Sequence, residues 1–173
     1  MDEFKYPIGK LNIDIDLTEE MIANCVAQIE ALPDILQKAV EDLTDHQLDA
    51  VYRPGGWTLR QVVHHIADAN MNGYIRFKLA LTEENPVTKP FDETKWADLV
   101  DGKTLPADIS ITLIKVLHER WTALLKSLST TDFKREFIHP EMGKVSLEKA
   151  LLIHSWHGNH HVGHIMHWRK RHL

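Results

Sequence analysis

Histidines crowd the last twenty residues of this 173-residue chain. Because an α-helix turns about 100° per residue, side chains four positions apart lie on the same face. Two such H-x-x-x-H pairs occur here, and an imidazole pair of this kind can hold one metal ion from one helix. Apolar residues are interleaved with them, which indicates a buried helix that carries a metal site. Seven of the twelve histidines belong to this stretch: His154, His157, His160, His161, His164, His167 and His172.

The third ligand is expected from a facing helix, because two ligands rarely complete a metal site. The adjacent His64 and His65 lie in a helical segment whose apolar centre follows Leu59, Ile66 and Phe77. His65 falls on the flank of that apolar face, whereas His64 falls nearly opposite its centre. Periodicity therefore predicts that His65 points inward and that His64 is solvated or at an interface.

Spacing alone does not decide which pair of the last helix joins His65. The candidates are His157/His161 and His160/His164, because the apolar line of that helix runs between them. The alternative to a metal site is that each inward histidine is a hydrogen-bonded core residue. Two interleaved pairs, together with a histidine on another helix, weaken that alternative.

Two helix starts carry clear signals. The first helical segment begins near Thr18, a good N-cap, and Pro33 within it predicts a kink or a restart. The second begins at Thr58, where Thr58 and Gln61 match the capping box and Trp57 is placed for a hydrophobic staple. Both segments carry apolar residues at helical spacing, so both are predicted to pack on a core.

Two more helices complete the predicted fold. The third runs from about 108 to 128, and the fourth starts near Ser146. The long connection over roughly 85–106 has a length that is often functional, and it could cover a pocket. The piece over 130–145 is predicted to form a small hairpin. The sequence thus predicts one all-α domain over residues 1–173, a four-helix bundle with long inter-helix loops.

Composition argues against several classes of protein. The formal net charge of −5 and the pI of about 6.2 do not suit a protein that binds nucleic acid. No apolar run reaches the ~20 residues that span a bilayer, and the first residues do not resemble a signal peptide. The single cysteine, Cys25, excludes an internal disulfide and a cysteine-based zinc site. We expect a cytoplasmic protein with neither nucleic acid nor membrane as partner.

Other metal chemistries lack their motifs. The zinc-protease pattern H-E-x-x-H fails after His118-Glu119, because Thr122 stands where the second histidine belongs. Carboxylate-bridged di-iron bundles need Glu-x-x-His on two helices, and the one match, Glu136/His139, lies outside any convincing helix. No glycine-rich phosphate loop is present.

Polar residues follow His65 along the same border of its helix and could line a pocket. Asp68 is a candidate general base, as is Glu119 on the third helix, since hydrolysis needs a base near the attacking water. Asn72 and Arg76 are candidates for substrate binding, with Arg76 suited to an anionic group. The alternative for each is a solvated helix edge, the commoner fate of such residues.

Several runs of residues resemble the DinB superfamily, and within it the YfiT branch. The longest is Tyr-Arg-Pro-Gly-Gly-Trp-Thr-Leu-Arg-Gln-Val-Val-His-His over 52–65, and the combination is highly specific. The similarity extends over essentially the whole chain. The other matching runs are Tyr6-Pro7-Ile8-Gly9, Asn72 with 74–78, the segment 118–125, and Trp156-His157 followed by His160, His161 and His164.

The resemblance implies a cytoplasmic DinB-type four-helix bundle, often dimeric, that binds one divalent metal ion through three histidines. Carried over by motif, the ligands are His65, His160 and His164. His157 and His161 then become core residues or supports of the ligands. Zinc is the expected ion, and nickel is the alternative.

The resemblance also implies a function. We expect a metal-dependent hydrolase in which the ion activates water for attack on a small-molecule substrate. The first alternative is a thiol S-transferase, which would use a low-molecular-weight thiol such as bacillithiol at the same ion. The second alternative is a metal-binding stress-response protein without turnover. A homodimer is expected in each case.

Overall fold

Four long helices dominate the computed structural model, which describes residues 2–173. In the described part of the chain, α2 packs against α7 and α9, and α4 packs against the same two helices. These four helices form the predicted four-helix bundle. In chain order the elements are α1 (Asp2–Lys5), α2 (Glu19–Val40), α3 (Asp45–Leu48), α4 (Leu59–Thr82), α5 (Glu93–Ala97), α6 (Val100–Thr104), α7 (Ala107–Lys126), α8 (Thr130–Phe133), β1 (Glu136–His139), β2 (Gly143–Ser146) and α9 (Leu147–His172).

The start of α4 is the capping box that the sequence predicts. The Thr58 amide donates to Oε1 of Gln61 at 3.0 Å, and the Gln61 amide donates to Oγ1 of Thr58 at 3.1 Å. Thr18 and Ser146 cap α2 and α9 in the same sense, each accepting from a backbone amide of the first turn. The predicted caps at Thr18 and Thr58 are therefore confirmed, and Ser146, near which the fourth helix was predicted to start, is the N-cap of α9.

Pro33 does not interrupt α2, which continues as one helix from Glu19 to Val40. A proline inside a helix cannot donate to the carbonyl four residues earlier, here that of Ile29. His118 on α7 takes over this role, because its Nδ1 donates to the Ile29 carbonyl at 2.6 Å. The predicted restart was wrong because the sequence pattern did not show this donor from a neighbouring helix.

The connection between α4 and α7 is more ordered than the predicted loop, since α5 and α6 lie within it. It is tied to α4 by side chains: Gln61 Nε2 donates to the Ala97 carbonyl at 2.8 Å, and Arg60 Nη1 donates to the Leu105 carbonyl at 3.1 Å. The predicted hairpin is present, with β1 and β2 antiparallel and Phe137 opposite Val145. This connection covers the α4 face that periodicity assigned to solvent.

The apolar core has two parts along the bundle. Leu36, Val62, Ile114 and Ile165 belong to one cluster of buried residues. The second cluster includes Ile29, Phe77, Trp121 and Leu151. Each cluster draws residues from all four long helices, so the bundle has a core without any contribution from the histidines.

Among residues 2–173, no helix is both long enough and apolar enough to span a membrane.

Candidate metal centre

Three imidazoles converge where α4 meets α9. His65 comes from α4, and His157 and His161 come from successive turns of α9. The His157 Nε2 atom lies 3.1 Å from His65 Nε2 and 3.1 Å from His161 Nε2. One ligand atom from each of the three residues lies within 4.8 Å of the other two. We call His65, His157 and His161 the inner triad.

The local sequence explains why these side chains meet. The capping box sets where α4 begins and so fixes the position of His65, and four-residue spacing places His157 and His161 on one face of α9. Trp57, just before the cap, packs its ring 4.7 Å from that of His65. Gly158 lets α9 approach Leu32 of α2, since a Cβ at this position would overlap the leucine side chain.

Burial keeps the inner triad neutral. It lowers the pKa of His65 to about 4, because the charged form loses its hydration. The pKa values of His157 and His161 are lowered well below the usual 6.5, first by burial and then by the neighbouring imidazoles. Each ring therefore has an unprotonated nitrogen at neutral pH, the form in which imidazole binds metals.

The donor set fits a divalent cation. A tetrahedral zinc ion with Zn–N bonds of 2.0–2.1 Å holds its nitrogens about 3.3 Å apart, close to the 3.1 Å between the Nε2 atoms. The Nδ1 atoms of His157 and His161 are buried without a hydrogen-bond partner in the described part of the chain, which leaves them free to carry the ring protons. Three protein ligands leave one position open, as in catalytic zinc sites, and imidazole suits nickel as well as zinc.

The structure does not bring the predicted ligand set together. His160 and His164 pack against each other, with ring centroids 4.3 Å apart, and neither belongs to the converging group. His164 Nε2 lies 3.3 Å from the Lys5 carbonyl oxygen, and the His160 ring stacks on Trp156. We call His160 and His164 the outer pair.

The difference has a simple geometric reason. His160 lies three residues beyond His157, and His164 lies three residues beyond His161. On a helix this spacing displaces the second side chain by about 60° around the axis. That rotation turns them from α4 toward the N-terminal segment. Helical spacing left both pairs open, and the choice between them relied on the motif resemblance alone. The inward position predicted for His65 agrees with the structure, since only 2% of this residue is exposed.

His64 is buried, which corrects the prediction that it is solvated or at an interface. Its Nδ1 lies 2.7 Å from Oγ of Ser110, and its Nε2 lies 3.0 Å from the Leu105 carbonyl oxygen. Burial lowers its pKa below the usual value. The reason is the connection between α4 and α7, which covers this face and supplies polar partners that periodicity cannot foresee.

The two candidate bases lie in different environments. Asp68 is one turn beyond His65 on α4 and is partly buried, and desolvation, with a smaller effect of Asp101, raises its pKa to about 6. Glu119 is exposed on α7. Among residues 2–173, neither carboxylate forms a hydrogen bond or an ion pair with the inner triad.

The predicted substrate residues have partners of their own. Asn72 Nδ2 donates to the Asp68 backbone carbonyl at 2.8 Å. Arg76 Nη2 lies 3.5 Å from the Lys89 carbonyl oxygen. Burial lowers the pKa of Arg76, and the nearby carboxylate of Glu93 opposes that effect. Both residues lie on the α4 side of the triad, beyond Asp68.

A cavity of about 350 Å³ opens beside the inner triad, and no pattern in the sequence predicts it. His161 is shared between the cavity and the triad. The Tyr-Arg-Pro-Gly-Gly-Trp run belongs to the family motif, but its spacing alone indicates no chemistry, because the cavity forms only when distant segments meet. The lining residues are Lys5, Tyr6, Tyr52, Arg53, Gly55, Gly56, Trp57, Thr94, His160, His161 and His164.

The fold and the inner triad together describe a four-helix bundle with a histidine site that can bind a metal ion. The family model of the DinB superfamily matches residues 28–165. The chain belongs to the DinB superfamily.

Relatives within the bacilli share almost the full length of the chain. A protein of Bacillus cereus named "Putative metal-dependent hydrolase" is 52% identical over 99% of this chain and 98% of its own length. A protein of Oceanobacillus iheyensis with the same description is 53% identical over 96% of both chains. The names of both proteins agree with a metal-dependent function.

Solved structures show the same architecture. YfiT from Bacillus subtilis superposes with a TM-score of 0.95 at 46% identity, covering 98% of this chain and 97% of YfiT. YfiT is described as "a probable metal-dependent hydrolase with an unusual four-helix bundle topology". The four-helix bundle protein TT2238 superposes with a TM-score of 0.55 at 16% identity, over 82% of this chain and 94% of that protein, and shows the fold alone.

Proposed function

We propose that this protein is a metal-dependent hydrolase whose one divalent ion, zinc or else nickel, is held by His65, His157 and His161. The observation that carries the proposal is the convergence of three neutral imidazole nitrogens within 4.8 Å. The names of the bacillar relatives and of YfiT support the same class of activity. In this proposal His157 and His161 replace the ligands His160 and His164 that the motif implied.

A bound divalent ion supplies Lewis-acid chemistry: it lowers the pKa of a water or thiol at its open position and polarises a substrate oxygen. Three neutral ligands leave the full charge of the cation available for that purpose. On one side of the triad, the apolar ring of Trp57 packs against the His65 ring. In this proposal the Trp57 ring limits the access of bulk water to the triad.

Hydrolysis also requires a base, and Asp68 is our first choice. Its pKa of about 6 leaves it mostly ionised at neutral pH yet able to accept a proton. Its position one turn from His65 places it near the triad, although substrate or water must bridge the gap. Glu119 is the second candidate and requires a larger rearrangement, because it is exposed on a different helix. Asn72 and Arg76 extend this side of the site as candidate substrate contacts.

A second candidate function is thiol S-transfer with a low-molecular-weight thiol such as bacillithiol. One observation favours it: in the described part of the chain, no carboxylate is hydrogen-bonded to the inner triad. A thiol has a much lower pKa than water, so it can be deprotonated at a metal site without a neighbouring base. The transferase therefore needs fewer groups than the hydrolase.

We also propose that the protein acts on small molecules as a homodimer. Ile109, Leu113 and Val116 recur at helical spacing on α7 and are all exposed, which gives this helix an apolar outer stripe. A second copy that packs on the stripe would bury it. Light scattering of wild type and Leu113→Asp tests this point, and a variant that remains dimeric would exclude the stripe as the interface.

The activity test compares hydrolysis with thiol conjugation on one metal-loaded preparation. Ester and amide substrates are offered without thiol, and monochlorobimane is offered with and without bacillithiol. Cleavage without thiol supports the hydrolase, whereas conjugation that requires thiol supports the transferase. Chelated protein and His161→Ala serve as controls. Whichever activity the metal-loaded protein shows must be absent from both. A broad screen without turnover would favour a metal-binding protein of the stress response.

A further inference from the structure

The cavity beside the inner triad is built from four distant parts of the chain. The segment around Lys5 and Tyr6 forms one wall, the loop over 52–57 forms the second, and α9 with the outer pair forms the third, while Thr94 of α5 completes the lining. Its volume of about 350 Å³ falls within the range of small-molecule sites. Trp57 connects it to the triad, because its ring lies 4.7 Å from His65 and 6.4 Å from His161.

Two cations line the cavity, and none of the lining residues that the structure describes carries a carboxylate. Arg53 holds its guanidinium 5.2 Å from the centre of the Tyr52 ring, and its Nε donates to the Tyr52 hydroxyl at 3.0 Å. Lys5 holds its ammonium 5.5 Å from the centre of the Tyr6 ring. Neither cation forms an ion pair with a carboxylate among the residues whose side chains the structure describes.

The donors of Arg53 are available to a ligand. Its hydrogen bond to Tyr52 uses Nε and fixes the plane of the guanidinium, while Nη1 and Nη2 have no partner in the described part of the protein. A guanidinium held in this way presents two parallel donors, the arrangement that recognises carboxylate and phosphate oxygens.

We propose that this cavity is the anion subsite of the substrate pocket, in which Arg53 and Lys5 bind a carboxylate or phosphate group of a small substrate. Tyr6, Tyr52 and Trp57 surround the part of the substrate that joins this group to the reacting bond. The inference deepens the proposed function, since it names the substrate class of the same site.

Arg76 is the competing anion site, and its surroundings differ. The carboxylate of Glu93 lies close enough to raise its pKa against the effect of burial. The described residues that line the cavity around Arg53 include no carboxylate. An anion therefore gains more from Arg53, where it supplies a missing counter-charge, than from Arg76, where it competes with one already present.

The experiment measures binding of benzoate, phenyl phosphate and neutral benzamide by ligand-observed NMR. The test variants are Arg53→Met, Lys5→Met and Arg76→Met. Two controls match them closely: Arg120 lies 5.7 Å from the centre of the Tyr74 ring and Lys10 lies 5.1 Å from that of Tyr6, and neither residue lines the cavity. All variants are checked by circular dichroism and metal content.

We expect Arg53→Met to weaken binding of both anions about tenfold or more, because a charge-assisted bidentate contact is lost. Lys5→Met should weaken it a few-fold, since this lysine is exposed. Arg120→Met and Lys10→Met should bind anions like wild type, and benzamide should not distinguish any of the variants. Raised ionic strength should weaken the anions alone.

Three results would overturn the subsite: anion affinity unchanged in Arg53→Met, an equal loss in the matched controls, or a loss confined to Arg76→Met. Metal content and chelation separate this failure from failure of the proposed function. Anion binding that disappears on chelation but is unaffected by Arg53→Met would reject the subsite and leave the metal site intact. Arg53-dependent binding in a protein without metal or turnover would retain the subsite and reject the enzyme.

Discussion

The inner and outer histidine pairs of α9 have the same spacing but different surroundings. His157 and His161 face α4, where His65 completes a group of three. His160 and His164 face the N-terminal segment, where their neighbours are Tyr6, Tyr52 and Lys5. Burial lowers the pKa of all four imidazoles, so neutrality at pH 7 does not distinguish the pairs.

What distinguishes the pairs is the presence of a third ligand. A chelating pair on one helix becomes a metal site only when another element places a donor opposite it. The outer pair instead meets aromatic rings and cations, which suits a pocket wall next to the ion. One helix thus contributes to two adjacent functions, and a rotation of about 60° separates them.

The largest expected effect is the loss of metal from the inner triad. His65→Ala, His157→Ala and His161→Ala should each abolish stoichiometric metal binding, because two remaining imidazoles hold an ion far more weakly. His160→Ala and His164→Ala are the matched controls and should retain about one ion per chain. Elemental analysis of the purified variants provides the measurement.

The opposite pattern would restore the motif-based prediction. If His160→Ala and His164→Ala lost the ion while His157→Ala and His161→Ala kept it, the ligands would be His65, His160 and His164. A side-chain rearrangement on metal binding would then be required, since the described structure keeps the outer pair apart from His65.

Removal of the metal should lower stability without unfolding the bundle. An ion present at a thousandfold excess over its Kd stabilises the folded state by about 4 kcal/mol. The two apolar clusters nevertheless persist without it, because neither depends on the histidines. Circular dichroism of chelated protein should show unchanged helicity and a lower Tm. A collapse of helicity would instead identify a structural ion.

Two glycines of α9 allow a direct comparison of packing beside the inner triad and beside the outer pair. Gly158 follows His157, and Gly163 precedes His164. A Cβ at Gly158 would overlap the side chain of Leu32, which is 1% exposed and cannot move away. At Gly163 a Cβ would meet Ile8 at 3.0 Å and Pro7 at 3.1 Å, and the exposed side chain of Ile8 can yield. Both substitutions gain about 1 kcal/mol of helix propensity.

We therefore expect the two substitutions to change the stability of the protein in opposite directions. Gly158→Ala should destabilise the protein by up to about 2 kcal/mol, because overpacking in a dense core costs about 1–3 kcal/mol and the gain in helix propensity offsets about 1 kcal/mol of it. It should also weaken metal binding, since α9 must shift beside His157. Gly163→Ala should be neutral or slightly stabilising and should keep its metal. Chemical denaturation with metal analysis measures both effects, and a stable, metal-replete Gly158→Ala would show that Leu32 can move.

The sequence predicted the bundle well because its signals are local. The capping residues Thr18, Thr58 and Ser146 depend on their own turn, and the structure has helices starting at each. The inward position of His65 also followed from helical periodicity. These features need no knowledge of which helices become neighbours.

The features that depend on neighbours could not be predicted. The choice between the two pairs of α9 requires the rotation of that helix relative to α4, which periodicity left open. The burial of His64 requires the covering connection, and the continuity of α2 through Pro33 requires His118. The cavity at Arg53 requires four segments that are far apart in sequence.

His118 is a buried histidine outside the inner triad, and it is expected to make stability depend on pH. Burial lowers its pKa to about 4 in the fold, against a usual value of 6.5. Between these two values the unfolded chain binds more protons than the folded protein. The free energy of unfolding that depends on an uncharged His118 is therefore fully present above pH 6.5. It is lost progressively as the pH falls toward 4.

The smallest predicted effect follows from this difference. His118→Gln should be less stable than wild type at pH 7. The Ile29 carbonyl then loses the hydrogen bond from His118 Nδ1, which stands in for the one that Pro33 cannot donate. On acidification from pH 6.5 to 5.5, the stability gap should narrow by about 1 kcal/mol, because only the wild type takes up this proton on unfolding. Urea titrations of chelated protein isolate the effect, since the other histidines titrate in both proteins. A gap that widens at low pH would mean that His118 is protonated in the fold, held by the Ile29 carbonyl and by Oδ1 of Asn70, which lies 3.1 Å from its Nε2.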